Sequence, residues 1–263
     1  MPRIIINADD FGRSINHNLA IDYSFKQGLV YSAGLIVTGK YLPDAVDLMN
    51  KGGYVGKVHL HLNFSTSLKD GNPEDKPLTE NLRKDPFFCK DGMFRPYRGL
   101  RCSIKTILKW RIVYHEMVAQ YNRFKEITDG KGDYKHIDFH LWYNLTWSVS
   151  VALSVFTRKN HIESVRYIGQ HQKSLKYLLF RILSWNPRVK QIPATNIDYY
   201  ISNHNSFDHK QLLELYCHPH YKEEVLLDDS PSYLGHEKQP LMKQIQLLRE
   251  IEGIKFISWE DLR

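Results

Sequence analysis

Short apolar, β-branched runs alternate along the chain with longer amphipathic stretches. RIIINA, GLVYSAGLIVT, KVHLHLNF, HIDFHLW, SVRYIG, LELYCHP and IKFISW read as strands, on their enrichment in Val, Ile, Tyr and Phe. The stretches between them read as helices with recognisable ends. SINHNLAIDYSFKQG starts at Ser14, a good N-cap, and stops at Gly28; PDAVDLMNKG opens with Pro43 and closes with Gly52. SIKTILKWRIVYHEMVAQYNRFKEITDG is long and strongly periodic, and KQPLMKQIQLLREIEG makes the last helix. Alternation of strand and helix over about seven units predicts an α/β fold with parallel strands and crossover helices. That number favours a single-domain (β/α) barrel, TIM-like and irregular, over an open doubly wound sheet. No internal repeat or linker divides residues 1–263.

Two segments break the alternation. Residues 66–101 are polar and punctuated by Gly and Pro, and are expected to form a long loop excursion over one face, in the manner of a lid. Residues 171–192 are basic and apolar together. They read either as a packed helix or as a lid or surface helix that touches a membrane or a lipid-linked ligand.

Composition narrows the class. Hydrophobic residues make up 42% and charged residues 25% of the 263, as in ordinary globular proteins, and no apolar run has the ~18 residues of a transmembrane helix. The apolar run at the N-terminus is too short for a signal peptide, so a cytoplasmic protein is expected. The three cysteines, Cys89, Cys102 and Cys217, are unpatterned and imply no disulfide framework. A net charge of +7 suits either a solvated basic surface or anionic substrates and membrane surfaces. No zinc finger, RNA-binding aromatic motif or basic tail points to nucleic acid.

The chemistry lies at strand ends. In barrels and open α/β sheets, reactive groups gather where strands end. The first strand runs directly into Asp9 and Asp10, a charged pair whose desolvation must be compensated. VHLHLN places His59, His61 and Asn63 on one face, and HIDFH does the same with His136, Asp138 and His140. Of each histidine pair the later one, His61 or His140, lies nearer the mouth. ELYCHPH ends with His218 and His220. A carboxylate and two imidazoles converging on a mouth form a metal site with positions open to water. The second acid of the Asp9–Asp10 pair is then free to take a proton from that water.

NADDFGRSINHNLAI, GLVYSAGLIVTGKYLPDAVDL, HLHLNFS, HIDFH, Arg166 in VRYI and ELYCHP together resemble the YdjC-like carbohydrate deacetylases, which include the chitooligosaccharide deacetylases. The resemblance runs in order from residue 3 to about residue 220. It implies a (β/α) barrel that removes N-acetyl groups from sugars with a divalent metal, usually magnesium, with zinc as the other candidate. Carried onto this chain, it implies Asp10, His61 and His140 as metal ligands, Asp9 as general base and His218 as general acid. Asp138 is expected either to orient a ligand histidine or to serve as a buried partner of His136. The chain departs from the family at Phe139 and in the LWYN stretch, where Trp142 stands in place of a usual histidine. Trp142 and Asn144 share the face of His140 and are expected to reshape the substrate pocket. The partner is then a small N-acetylated sugar. It could be phosphorylated or lipid-linked if Lys173, Lys176 or Arg181 bind phosphate, and a homodimer is possible. The other readings are a glycan-binding barrel without catalysis and a metal hydrolase of another small amide or ester.

Overall fold

The computed structural model describes residues 1–66, 75–95, 104–141, 146–167, 178, 182–208, 211–230 and 240–262. The first half of the chain forms β1 (Arg3–Phe11), α1 (Ile15–Lys26), β2 (Ser32–Leu35), α2 (Leu42–Gly52), β3 (Val58–Leu62), α3 (Glu80–Arg83), β4 (Cys89–Lys90), β5 (Met93–Phe94) and α4 (Trp110–Ile127). The second half forms β6 (Asp133–Phe139), α5 (Trp147–Lys159), β7 (Ser164–Tyr167), β8 (Lys190–Asn196), α6 (Ile197–Asn203), β9 (Leu212–Cys217), β10 (Pro219–Lys222), β11 (Val225–Asp228), α7 (Leu241–Glu250) and β12 (Lys255–Phe256).

Strands β1, β2, β3, β6, β7, β8 and β9 pair in parallel in that order, and β9 closes back on β1. This is the closed α/β barrel that the alternation predicts. One edge of β1 is shared: Arg3 and Ile4 pair with Lys255 and Phe256 of β12, and Asn7 and Ala8 pair with Ser32 and Ala33 of β2.

The two faces of β1 show how the barrel is filled. Ile4, Ile6 and Ala8 join the large apolar cluster shared with the surrounding helices. Ile5 instead joins Ile192, Ile257 and Trp259 in a small apolar plug. Asn7 and Asp9 follow on the same face as Ile5, because side chains alternate along a strand. Above the plug the interior is polar, with His59, His61, His136, Asp138, Arg166 and Glu214 all fully or almost fully buried. Such an interior is tolerable only when its groups satisfy one another, so each polar residue constrains the next.

Two sequence expectations need revision. Residues 190–192, read as the end of the basic segment, open the barrel strand β8 (KQIPATN), which pairs with β7 on one side and β9 on the other. Pro193 has no N–H to donate, but it faces Tyr167 in register and the pairing with β9 begins only at Ala194. The 66–101 excursion is also more structured than a loop over residues 75–95. There Glu116 of α4 accepts hydrogen bonds from the backbone N–H groups of Leu78 and Thr79 at 2.9 and 2.8 Å and from the Thr79 hydroxyl at 2.7 Å. Leu82, Phe88 and Phe94 carry this piece into the core. Among the described residues no helix is long and apolar enough to cross a membrane.

Candidate metal centre

Adjacent residues on a regular strand point to opposite faces, yet Asp9 and Asp10 both reach the barrel mouth. The backbone explains this. Asp10 has φ 71°, in the left-handed region that Asp tolerates better than most residues, and the β1–β2 register shifts between Ala8 and Phe11. The chain turns at Asp10, and both carboxylates face the site.

Asp10 Oδ1 lies 2.7 Å from His140 Nδ1 and 3.5 Å from His61 Nε2. One donor atom from each of the three residues falls within 4.8 Å of the others. His61 Nδ1 is engaged by Asp138 Oδ1 at 2.6 Å, which turns Nε2 toward Asp10. That Nε2 is buried and has no hydrogen-bond partner. A divalent ion is the partner that such an atom, beside a carboxylate and a second imidazole, fits. Room for the ring comes from Gly34, where a Cβ would sit 3.0 Å from His61 Nδ1.

Below the triad, Arg166 is buried among three acids. Its guanidinium donates to both oxygens of Asp9 at 2.5 and 2.7 Å, to Glu214 Oε1 at 3.0 and 2.6 Å, and pairs with Asp138 Oδ2 at 2.5 Å. Asn7 Nδ2 adds a bond to Asp9 Oδ1 at 2.7 Å. Arg13 Nη1 meets Asp10 Oδ2 at 2.5 Å.

Charge explains the protonation states. Asp9, Asp10, Asp138 and Glu214 set four carboxylates against the guanidiniums of Arg13 and Arg166. Burial opposes ionisation of Asp10, but His140 and Arg13 outweigh it and hold this carboxyl well below its ordinary range. The same balance, with Arg166 as main counter-charge, lowers Asp138. Burial would lower the His61 pKa, yet Asp138 and Asp9 raise it to about 10.

His218 follows β9, and its Nε2 stands 3.7 Å from Asp9 Oδ2. His136 lies in a layer beneath the mouth. Its Nδ1 meets Ser164 Oγ at 2.9 Å, and its ring stacks on Trp259 at a centroid separation of 3.7 Å. His59, His136 and Glu214 form a second group of close ligand atoms. In this group His59 Nε2, His136 Nε2 and Glu214 Oε2 are likewise buried without a hydrogen-bond partner among the described residues, with His136 Nε2 3.6 Å from Glu214 Oε2, and burial holds the His136 pKa below its ordinary value.

The structure therefore brings Asp9, Asp10, His61, Asp138, His140, Arg166 and His218 together and sets His136 apart. Trp142 and Asn144 lie outside the described residues, as do Lys173, Lys176 and Arg181. Sequence reasoning missed Glu214, Asn7 and Arg13. Glu214 was findable, since it shares a strand face with Tyr216 and His218; Arg13 is placed by a turn that no strand periodicity announces.

The model of a family described as YdjC-like protein matches residues 3–252. The chain is 28% identical to carbohydrate deacetylase 2 of Listeria innocua serovar 6a, over 99% of this chain and 98% of that protein. It is 26% identical to the carbohydrate deacetylase of Clostridium beijerinckii, over 99% and 96% of the two chains. Among solved structures, a candidate cellobiose-phosphate cleavage protein from Enterococcus faecalis V583 superposes with a TM-score of 0.67 at 18% identity, covering 99% of this chain and 98% of that one. This likeness establishes the shared fold.

Proposed function

Because this chain belongs to the YdjC-like family, we propose that it is a hydrolase that removes N-acetyl groups from an acetylated sugar, with a divalent ion held by Asp10, His61 and His140. The observation that carries the reading is the unpartnered, buried Nε2 of His61 aimed at Asp10 and flanked by a base and an acid. A binding protein has no use for the latter two.

The chemistry a divalent ion supplies in such a shell is polarisation of the acetyl carbonyl and acidification of bound water. Asp9 is placed to take the water's proton. Its Oδ1 is filled by Arg166 and Asn7, whereas among the described residues Oδ2 accepts only from Arg166, with His218 Nε2 3.7 Å away. As the C–N bond breaks, the proton taken up by Asp9 passes to His218 Nε2, 3.7 Å from Asp9 Oδ2, and from there to the departing amine, leaving acetate and a free amino sugar. Asp138 holds the His61 ring, and Arg166 holds Asp9.

Magnesium is the ion the family resemblance implies, but two imidazoles beside one carboxylate suit zinc or cobalt better. The net charge of +7 favours a substrate that carries phosphate, free or lipid-linked. A cytoplasmic location fits the free thiols of Cys89 and Cys217. Acetate release from a panel of neutral and phosphorylated N-acetyl sugars, with each metal in turn, tests the proposal. Release from none of them under any metal rejects it.

A further inference from the structure

His218 is held from behind by the β10–β11 hairpin. Asp228 Oδ1 accepts a hydrogen bond from the His218 backbone N–H at 2.7 Å and from the Ser230 N–H at 2.9 Å. The same oxygen lies 2.7 Å from Ser230 Oγ, and Ser230 Oγ lies 2.9 Å from His218 Nδ1. Asp228 and Ser230 are both buried, so no bulk water competes for these contacts. The hairpin is itself fixed to α1. Asn16 donates to the Tyr221 carbonyl at 2.8 Å and accepts from the Tyr221 N–H at 2.6 Å, and the rings of His17 and His220 stack at 6.1 Å.

Counting protons settles the direction of the chain. A hydroxyl has one proton, and an oxygen that accepts from two backbone N–H groups offers lone pairs only. Ser230 must therefore give its proton to Asp228, because two oxygens at 2.7 Å with no proton between them repel. Ser230 Oγ then has only lone pairs for the imidazole, so the proton in the Ser230–His218 contact sits on Nδ1. We infer that Asp228 and Ser230 are positioning residues that fix the Nδ1–H form of His218 and present its Nε2 to the scissile nitrogen.

Nε2 is then the atom that exchanges a proton, and it is the one that faces Asp9 Oδ2 at 3.7 Å. The other groups around the ring agree with this. Among the described residues, Asp9 lies in front, Asp228 behind and the Tyr216 ring 5.9 Å to one side. None of them offers Nδ1 a proton in place of Ser230. The catalytic consequence rests on the deacetylase reading of His218; the tautomer does not.

The test is imidazole nitrogen NMR on the full chain, at a pH where His218 is neutral, with its signals assigned by their loss in His218→Gln. The expected result is a proton on Nδ1 in the wild type. In Ser230→Ala the population should move toward the Nε2–H form, and in Ser230→Thr, which keeps the hydroxyl, it should return. In parallel, Ser230→Ala should lower kcat at least ~10-fold with KM little changed, and Ser230→Thr should recover most of it. A wild-type His218 protonated at Nε2 overturns the inference without any variant, and so does a tautomer unmoved by Ser230→Ala. A tautomer that moves as expected in a protein that deacetylates no sugar upholds the positioning role and rejects the deacetylase reading.

Discussion

Arg166 grips Asp9 with two parallel hydrogen bonds, Nη1 to Oδ2 at 2.5 Å and Nη2 to Oδ1 at 2.7 Å. The fork fixes the plane of the carboxylate and leaves one oxygen open toward His218. The same guanidinium also meets Glu214 and Asp138, so it ties the base to the acid that orients His61. Catalytic geometry and core stability thus share one buried side chain.

Arg166→Met should therefore do more than slow the enzyme. It strands three buried carboxylates, and breaking a buried pair of this kind costs about 3 to 5 kcal/mol. Arg166→Lys keeps the charge but not the fork, so it should fold, bind metal and lose most turnover. Thermal melts check the first variant; metal binding and acetate release check the second.

The two adjacent acids should separate cleanly. Asp9→Asn should retain the metal and lose about 100- to 10,000-fold in kcat, the contribution of a positioned base. Asp10→Asn should lose the metal first. Isothermal titration with cobalt or zinc distinguishes them, and the opposite pattern would exchange the roles given to the two residues.

Gly34→Ala probes the second support of His61. The added Cβ would lie 3.0 Å from Nδ1 and 3.1 Å from Cβ of a ring that Asp138 holds at 2.6 Å and that cannot easily give way. Metal affinity should fall about 10- to 100-fold, as for other losses of ligand support, with the fold intact. Unchanged affinity would mean that Nε2 is not a ligand atom.

Acid stability follows from Glu214. Burial disfavours its charge, but Arg166 and His136 overcome that and hold its pKa at about 2, against an ordinary 4.5. A carboxyl depressed on folding contributes stability above pH 4.5 and loses it as the pH falls from there through 2. Metal-free protein should lose stability across that window. Glu214→Gln should be less stable at neutral pH and should show a shallower decline, as read from denaturant midpoints.

Much of this was legible in the sequence, for physical reasons that differ from residue to residue. Strand alternation put His61, Asp138 and His140 on inward faces, and the structure has them there. It could not say whether Asp138 serves His61 or His136, because that depends on how β3 stands against β6; the register sets His61 beside Asp138. β8 was hidden because Pro193 argues against a strand, and only the partners on either side make it one. Arg166 was visible only through the family resemblance. A lone arginine on a short strand gives no sign that three acids from β1, β6 and β9 will converge on it. Asp228 and Ser230 had no signal either, since their role arises from a hairpin folding back on β9.

The most direct measurement is a titration of zinc or cobalt into chelator-treated protein while acetate release from an N-acetyl sugar is followed. The rate should start near zero, rise in proportion to added ion and break at about one ion per chain, as a single three-ligand site requires. His61→Ala and His140→Ala should show no rise. Full activity in the chelated protein, or a rise that survives the loss of both histidines, would contradict a metal centre at Asp10, His61 and His140.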